Sequence, residues 1–265
     1  MYIQKEPAAG YTPYLTLGAE DYGTGMDAGL LVLEKGQQYE IEEGEKEAAL
    51  LLLEGRVEFA WQDKRQEADR PDCFHYDPWC LHLSRGVRGT VTALDHAEIY
   101  LQMTDNPRDF ESRLYAPQDT MVQHAGNQGE LMGCMRREIK TLFDYESAPW
   151  SNMVLGEVLN LPGKWSSYPP HYHPQPEVYF YRFDHPQGFG ASFANGEIYI
   201  SRHNGMTVIN HGFHSQVSAP GYAMCYVWGI RHLPDDPWRK TRIDEEEHEW
   251  LWKDDANQHI FSLEG

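Results

Sequence analysis

Two histidines and a glutamate stand close together in the segment His171-Tyr-His173-Pro-Gln-Pro-Glu177. In a β-strand, residues i and i+2 project from the same face, so the two imidazoles are predicted to point the same way. Pro174 and Pro176 cannot donate to a strand ladder, so they are predicted to end that strand and let Glu177 begin the next. Imidazoles and a carboxylate that converge on one point are ligands for a divalent transition metal such as Zn, Mn, Fe or Ni.

A fourth ligand is predicted at His214, which follows an apolar strand and the turn glycine Gly212. His214 also leads into the short stretch 215–218, whose alternation would turn Gln216 to the same inward face. His211 is the alternative fourth ligand. The remaining histidines of the second half have turn-like or charged neighbours and are expected at the surface or behind the ligands: His185, His203 and His232.

The composition limits the partners that this chain can have. Its 265 residues are 41% hydrophobic, enough for one large β domain or two smaller ones, and carry a formal net charge of −19. Nucleic acids and anionic membranes require a basic surface, so neither is expected as a partner. A small anionic substrate would require a local group of arginines or lysines that reverses the field inside its site.

Apolar segments and cysteines indicate where the protein is located and whether its thiols are reduced. The first residues have no apolar signal-peptide core, and no run reaches the roughly 18 apolar residues of a membrane helix, so a cytoplasmic protein is expected. The four cysteines form no CxxC pair. Buried thiols are therefore expected, with a Cys73–Cys80 disulfide as the alternative.

Short strands must position the predicted ligands. Apolar or alternating runs occur about every ten residues, separated by Gly, Pro, Asp and Asn, which is typical of an antiparallel sandwich or barrel. The two halves share an outline of strands and glycine turns, which predicts two stacked copies of one barrel. Residues 104–135 look like a connection, and the division is predicted at residue 125, giving units 1–125 and 126–265. The acidic tail 244–252 is expected to form a short closing helix.

The order HxH, then Glu, then a distant His is typical of the cupin barrel, in which the ligands line the interior. The predicted fold is therefore all-β, with two tandem cupin-type (double-stranded β-helix) barrels. The corresponding segment of the first half, residues 36–47, carries acids and glycine in place of histidines. The first barrel is accordingly predicted to be structural, and the second to hold the metal and the active site.

Several segments resemble the 5-deoxy-glucuronate isomerase family of myo-inositol catabolism. The resemblance covers most of the chain and is carried by residues 47–56, 156–158, 162–171, 177–182, 187–190 and 219–222. It implies a bicupin fold and a metal site in the second barrel, with the ligands His171, His173, Glu177 and His214. It also implies conversion of 5-deoxy-glucuronate to 5-dehydro-2-deoxy-gluconate. The chain departs from the family's pattern in a shorter link between His173 and Glu177, at Ala223, and over residues 227–232.

Aldose–ketose isomerisation moves a proton between adjacent carbons, which requires a Lewis acid and a base. Four residues are candidates for the base: Tyr168, Tyr179, Tyr181 and Glu197. Tyr181 is favoured by strand alternation from Glu177. Arg182 is a candidate for the grip on the substrate carboxylate, although alternation from Tyr181 points it outward. The other predicted substrate-binding residues are Tyr179, Lys164, Gln216 and Arg231.

Two other functions are compatible with the same residues. One is another metal chemistry on this barrel, such as an Fe-dependent dioxygenase reaction. The other is a non-catalytic protein that binds a sugar acid. In each case the expected partner is a small sugar acid, and the protein is expected to form a homo-oligomer.

Overall fold

Alternating and apolar stretches of the sequence form twenty strands in residues 1–263, the part of the chain that this computed structural model describes. The first ten are β1 (Tyr2–Gln4), β2 (Gly10–Leu15), β3 (Asp27–Leu33), β4 (Gln38–Ile41), β5 (Lys46–Trp61), β6 (Lys64–Arg70), β7 (Trp79–Leu83), β8 (Gly89–Asp105), β9 (Arg113–Tyr115) and β10 (Met121–Ala125). The others are β11 (Arg137–Phe143), β12 (Met153–Asn160), β13 (Trp165–Tyr172), β14 (Glu177–Phe183), β15 (Phe189–Ala194), β16 (Glu197–Arg202), β17 (Gly205–Ile209), β18 (His214–Ser218), β19 (Met224–Arg231) and β20 (Ile243–Asp244).

Helical structure is scarce and short in residues 1–263. Two 3₁₀ helices occupy Pro117–Asp119 and Glu246–Trp252, and two single helical turns occupy Glu130–Gly133 and Ala256–His259. The predicted closing helix of the acidic tail is thus present as the 3₁₀ helix Glu246–Trp252. No helix in this part of the chain has the length and apolar character needed to cross a bilayer. The all-β prediction is confirmed.

The first barrel consists of β2–β9. Its strands are antiparallel in the order β2-β3-β8-β5-β7-β9, with β4 paired to β8 and β6 to β5. β5 continues through Glu54 and Gly55 with a bulge at that point. Gly55 has φ 101°, and a Cβ there would lie 2.1 Å from the carbonyl oxygen of His96. Only glycine fits this close approach, so the residue bends the strand instead of ending it.

The second barrel consists of β1 and β10–β20, in two antiparallel sheets. One has the order β1-β17-β14-β19-β12-β11-β10, and the other the order β16-β15-β18-β13-β20. β13 ends at Tyr172 and β14 begins at Glu177, so the predicted break at the two prolines is confirmed. All four cysteines are free, and Cys73 and Cys80 are buried thiols without a disulfide.

The first strand of the chain joins the second barrel, and the two barrels share an apolar core. β1, the first strand of the chain, pairs with β17 of the second barrel. β10, which precedes the predicted division at residue 125, pairs with β11, so the sheets divide between β9 and β10. One apolar cluster contains residues of both halves, from Tyr14 to Val227. Inside this interface Arg70 and Glu157 form an ion pair of 2.6 Å with both side chains fully buried.

Candidate metal centre

Three strand ends bring the predicted ligands together inside the second barrel. His171 lies near the end of β13, opposite His214 at the start of β18, and the two are paired in register. His173 follows β13 directly, and Glu177 opens β14. The imidazole nitrogens of His171, His173 and His214 offer ligand atoms within 4.8 Å of one another. Spacing along the chain and pairing between strands therefore converge on one point.

The carboxylate of Glu177 completes this group. Its Oε2 atom lies 3.2 Å from Nε2 of His173 and 3.3 Å from Nε2 of His214. The rings of His171 and His214 are 4.1 Å apart between centroids. All four side chains are buried. His211, the alternative fourth ligand, is exposed and lies outside the group.

Backbone carbonyls orient two of the imidazoles. Nδ1 of His171 lies 3.2 Å from the carbonyl oxygen of Ser167, and Nδ1 of His173 lies 2.9 Å from that of Gln175. When Nδ1 donates its hydrogen to a carbonyl, the lone pair on Nε2 is free to bind a metal. In His171 and His173 the contact of Nδ1 with a carbonyl oxygen thus sets the tautomer that leaves Nε2 free to bind a metal.

The protonation states also suit a metal. Burial, and then the neighbouring His214, lower the pKa of His171 well below its ordinary value, and burial likewise lowers the pKa of His214. Burial opposes ionisation of Glu177, but its contacts with His173 and His214 outweigh burial and lower the pKa of Glu177 to about 2. At neutral pH the group therefore offers neutral imidazoles at His171 and His214 and an ionised carboxylate at Glu177.

The donor set fits a divalent transition metal. Nδ1 of the buried His214 has no hydrogen-bond partner within residues 1–263, and Nε2 has only the 3.3 Å contact with Glu177, which is not aligned as a hydrogen bond. A buried polar group without a partner costs free energy, and a metal would supply the missing partner. Three imidazoles and a carboxylate would leave room for further ligands from a substrate. The donor set does not select among Zn, Mn, Fe and Ni.

Three of the predicted ligands, His171, His173 and Glu177, line a cavity of about 320 Å³ that opens on the second barrel. One part of its wall is apolar, with Trp228 and Trp238 5.8 Å apart between ring centroids and Trp238 6.2 Å from His173. Hydroxyls line another part, where the Tyr179 hydroxyl lies 3.0 Å from Oγ of Ser167. The lining residues besides the ligands are Gln123, Arg137, Ile139, Thr141, Val158, Ser167, Tyr179, Tyr226, Trp228, Ile230, Trp238, Lys240, Thr241 and Arg242.

Among the predicted catalytic and substrate-binding residues, Tyr179 lines this cavity. Tyr168 borders a neighbouring cavity, with its ring 5.1 Å from that of Trp165. Tyr181 and Gln216 lie inside the barrel but away from the ligands, and the Tyr181 hydroxyl donates to Oε1 of Gln216 at 2.8 Å. Strand alternation places Tyr181 on the inner face, as expected, but at a different depth from Glu177.

Three basic residues predicted to hold a carboxylate lie elsewhere. Arg182 points out of the second barrel and contacts Glu98 and Glu54 of the first barrel, as its alternation from Tyr181 indicated. Arg231 donates to Asp105 at 2.8 Å. Lys164 lies in the turn before β13, at the opposite end of that strand from His171. In these positions none of the three side chains lines the ligand cavity.

The cavity instead contains basic residues that the sequence analysis did not single out: Arg137, Lys240 and Arg242. Arg137 begins β11, a strand that the pattern of the sequence did not predict. A signal was present, since residues 136–140 and 239–242 are two dense basic stretches in an otherwise acidic chain. An anionic substrate requires basic side chains that reverse the negative field of the chain inside its site, and these two stretches are where such side chains are concentrated.

Two stacked antiparallel barrels, with three histidines and a glutamate inside the second, define a bicupin protein with a candidate metal centre. Residues 3–251 match the model of the KduI/IolB family, and the chain belongs to that family. The match covers both barrels. The resemblance noted in the sequence is thereby confirmed.

Curated relatives share about a quarter of the sequence. The 5-deoxy-glucuronate isomerase of Geobacillus thermodenitrificans (strain NG80-2) is 26% identical over 233 residues, which are 78% of this chain and 83% of the relative. The 5-deoxy-glucuronate isomerase of Bacillus subtilis (strain 168) is 21% identical over 241 residues, or 84% and 86% of the two chains. The chain is accordingly an enzyme of the isomerase class.

Solved structures share the fold. An IolB-like protein from Salmonella typhimurium LT2 superposes with a TM-score of 0.84 at 20% identity, covering 94% of this chain and 98% of the other. A mutant of Bacillus subtilis oxalate decarboxylase gives 0.60 at 11% identity, covering 92% and 79%. The two likenesses confirm the cupin-type architecture.

Proposed function

We propose that this chain is a metal-dependent aldose–ketose isomerase that converts 5-deoxy-glucuronate to 5-dehydro-2-deoxy-gluconate in myo-inositol catabolism. The observation that carries the proposal is the buried group of three histidines and Glu177, three of whose members, His171, His173 and Glu177, line the cavity of the second barrel. Family membership supports the substrate, because the curated relatives are named for 5-deoxy-glucuronate.

The proposed ligands are His171, His173, Glu177 and His214. A divalent metal bound there would act as a Lewis acid toward two adjacent oxygens of an aldose. The chain's own contribution is to keep His171 and His214 neutral and Glu177 ionised, and to orient His171 and His173 through backbone carbonyls. The apolar wall formed by Trp228 and Trp238 reduces access of water to this point.

Hydroxyl groups beside the ligands are suited to handle protons. Burial raises the pKa of Tyr226 to about 12 and raises that of Tyr179 well above its ordinary value. Both hydroxyls are therefore protonated at neutral pH and can donate to substrate oxygens that gain charge during the reaction. Tyr179 contacts Ser167, and Tyr226 donates to Ser166 at 3.0 Å, so both phenols have fixed orientations. Of the four predicted base candidates, Tyr179 alone lines the cavity.

The test is NMR of a uronate panel in D₂O with the metal-analysed full chain loaded separately with Zn, Mn, Fe or Ni. We expect 5-deoxy-glucuronate to yield the ketose, with solvent deuterium entering at the carbon next to the carbonyl. Absence of turnover with every uronate and deoxy-uronate would overturn the proposal. Oxygen uptake with Fe(II) alone would support an Fe-dependent dioxygenase, and tight binding without deuterium exchange would support a non-catalytic sugar-acid-binding protein.

Assembly and location remain predictions. A homo-oligomer and a cytoplasmic location are still expected, and sedimentation of the purified protein and fractionation of cells measure them directly. The expectation that nucleic acid and membranes are not partners rests on the net charge of −19.

A further inference from the structure

Two guanidinium groups reach the metal cavity from distant parts of the second barrel. Arg137 begins β11, and Arg242 lies just before β20. We infer that Arg137 and Arg242 together form the subsite for the substrate's carboxylate and thereby fix which end of the sugar acid meets the histidines. This inference rests on the proposed isomerase function and assigns a specificity-determining role to these two residues.

The positive charge of Arg137 has no counter-ion within residues 1–263. Its Nη1 atom donates to the carbonyl oxygen of Met135 at 2.8 Å, and it forms no ion pair with any carboxylate within residues 1–263. Burial lowers the pKa of Arg137, and the positive charge of Arg242 lowers it further, so the two cations are close enough to repel each other. A guanidinium nevertheless stays charged at neutral pH. A partly buried cation without a counter-ion favours binding of an anion from outside.

Arg242 is held firmly in place. Nε donates to Oδ1 of Asp244 and Nη2 to the carbonyl oxygen of Pro169, both at 2.6 Å. The guanidinium also lies 5.3 Å from the ring centre of Trp252. Asp244 is thus the counter-ion of Arg242 and makes no ion pair with Arg137. Such a fixed donor fork is suited to a planar carboxylate.

The charges around the cavity favour an anion, although the whole chain is strongly acidic. Among the described lining residues, Glu177 is the single carboxylate, against three basic side chains. Lys240 is compensated, because its ammonium contacts Asp144 at 3.3 Å and Glu146 at 2.7 Å. Arg242 has its counter-ion in Asp244, so the uncompensated positive charge belongs to Arg137.

Strand pairing separates Arg137 from Glu177, whereas Arg242 lies beside the ligand segment, because its neighbour Ile243 pairs with Tyr172. Arg137 pairs with Asn160 at one end of β12, whereas Glu177 lies in line with Ile230 toward the other end of the sheet. A uronate carries its carboxylate and its aldehyde at opposite ends of one carbon chain. With the carboxylate at the Arg137 end of the cavity, the aldehyde end extends toward the histidines, past the hydroxyls of Tyr179 and Tyr226.

The test compares an anionic ligand with its neutral counterpart, D-gluconate and D-sorbitol, by calorimetry on the metal-loaded full chain. We expect wild type to bind gluconate more tightly than sorbitol. Arg137→Gln and Arg242→Gln should each weaken gluconate binding by about 10- to 100-fold, the range for a lost hydrogen bond to a charged group, and change sorbitol binding by less than about twofold. With 5-deoxy-glucuronate, the same variants should raise KM more than they lower kcat.

Matched controls lie next to each residue. Arg136 and Arg239 are exposed and lie near Arg137 and Arg242 in the sequence. Arg136→Gln and Arg239→Gln should therefore leave the affinities for gluconate and sorbitol unchanged. Arg137→Lys keeps the charge but loses the fork, and should bind gluconate more tightly than Arg137→Gln does. The inference is overturned if wild type does not prefer gluconate, or if both glutamine variants weaken gluconate and sorbitol equally. A preserved gluconate preference without turnover of any uronate would overturn the isomerase proposal alone.

Discussion

The two barrels follow one strand plan but fill their interiors in opposite ways. In the second barrel Glu177 opens the central strand β14, paired with Ile209 on one side and Ile230 on the other. Ala48 holds the same place in β5 of the first barrel, paired with Leu83 and Met103. A proposed metal ligand in one barrel thus corresponds to a methyl group in the other.

The histidine positions differ in the same way. His171 and His214 form a pair between β13 and β18, whereas the corresponding pair between β4 and β8 is Ile41 and Gly89. A Cβ on Gly89 would lie 2.5 Å from Cδ1 of Leu83, so no imidazole fits there. The first barrel closes this point with apolar packing, and the second keeps it open with buried polar groups. Apolar packing stabilises the fold of the first barrel. The buried polar group of the second barrel has to be held in place by the fold around it.

The largest expected effect comes from removing a ligand. His173→Ala should abolish stoichiometric metal binding and lower turnover by at least about 1,000-fold, because several kilocalories per mole of charge stabilisation depend on the metal. Metal analysis and the NMR assay measure both quantities. His185→Ala is the control, since His185 is exposed. Unchanged metal content in His173→Ala would refute the site.

The next largest effect is expected from breaking the buried ion pair between the barrels. Arg70→Met leaves the buried carboxylate of Glu157 without its partner, so the free energy of unfolding should fall by about 3–5 kcal/mol. Chemical denaturation measures the change. Glu67→Gln removes the partner of an exposed pair with Arg56 and should leave the midpoint unchanged. An equal response of the two variants would mean that the buried pair does not hold the barrels together.

A substitution in the packed barrel should affect stability without affecting chemistry. Leu83→Ala removes a fully packed side chain beside Gly89, and the free energy of unfolding should fall by about 2–5 kcal/mol. Metal content and turnover per folded molecule should not change, because the ligands lie in the other barrel. Loss of metal from folded Leu83→Ala protein would contradict this division of roles.

Acid should affect the second barrel before the first. Within residues 1–263, the histidines with a lowered pKa all lie in the second half, and burial lowers the pKa of His203 and His232 to about 4. Below the ordinary histidine pKa of about 6.5 the unfolded chain binds protons that the folded chain does not, so stability falls as the pH drops from about 6.5 toward 4. Hydrogen exchange should show earlier loss of protection in the second barrel, and His232→Gln should reduce the pH dependence. Equal loss in both barrels would contradict the prediction.

Sequence reasoning worked where the signal was local. Alternation predicted most of the strands, and the spacing of His171, His173 and Glu177 predicted three ligands that the structure brings together. It also identified the inner face on which Tyr181 lies. It did not identify the position of Tyr181 along the barrel axis relative to the ligands. Each strand residue adds about 3.3 Å, so Tyr181 lies about 13 Å along β14 from Glu177.

The amino-acid sequence by itself determined the fold class, the ligand types and the absence of histidines from the first barrel's counterpart segment. These properties follow from periodicity and from residue identities over short stretches. Only the tertiary structure decided that Arg137 and Arg242, more than a hundred residues apart, share one cavity, while Arg182 turns to the other barrel. The physical reason is that strand pairing between distant segments, and not spacing along the chain, sets which long side chains meet.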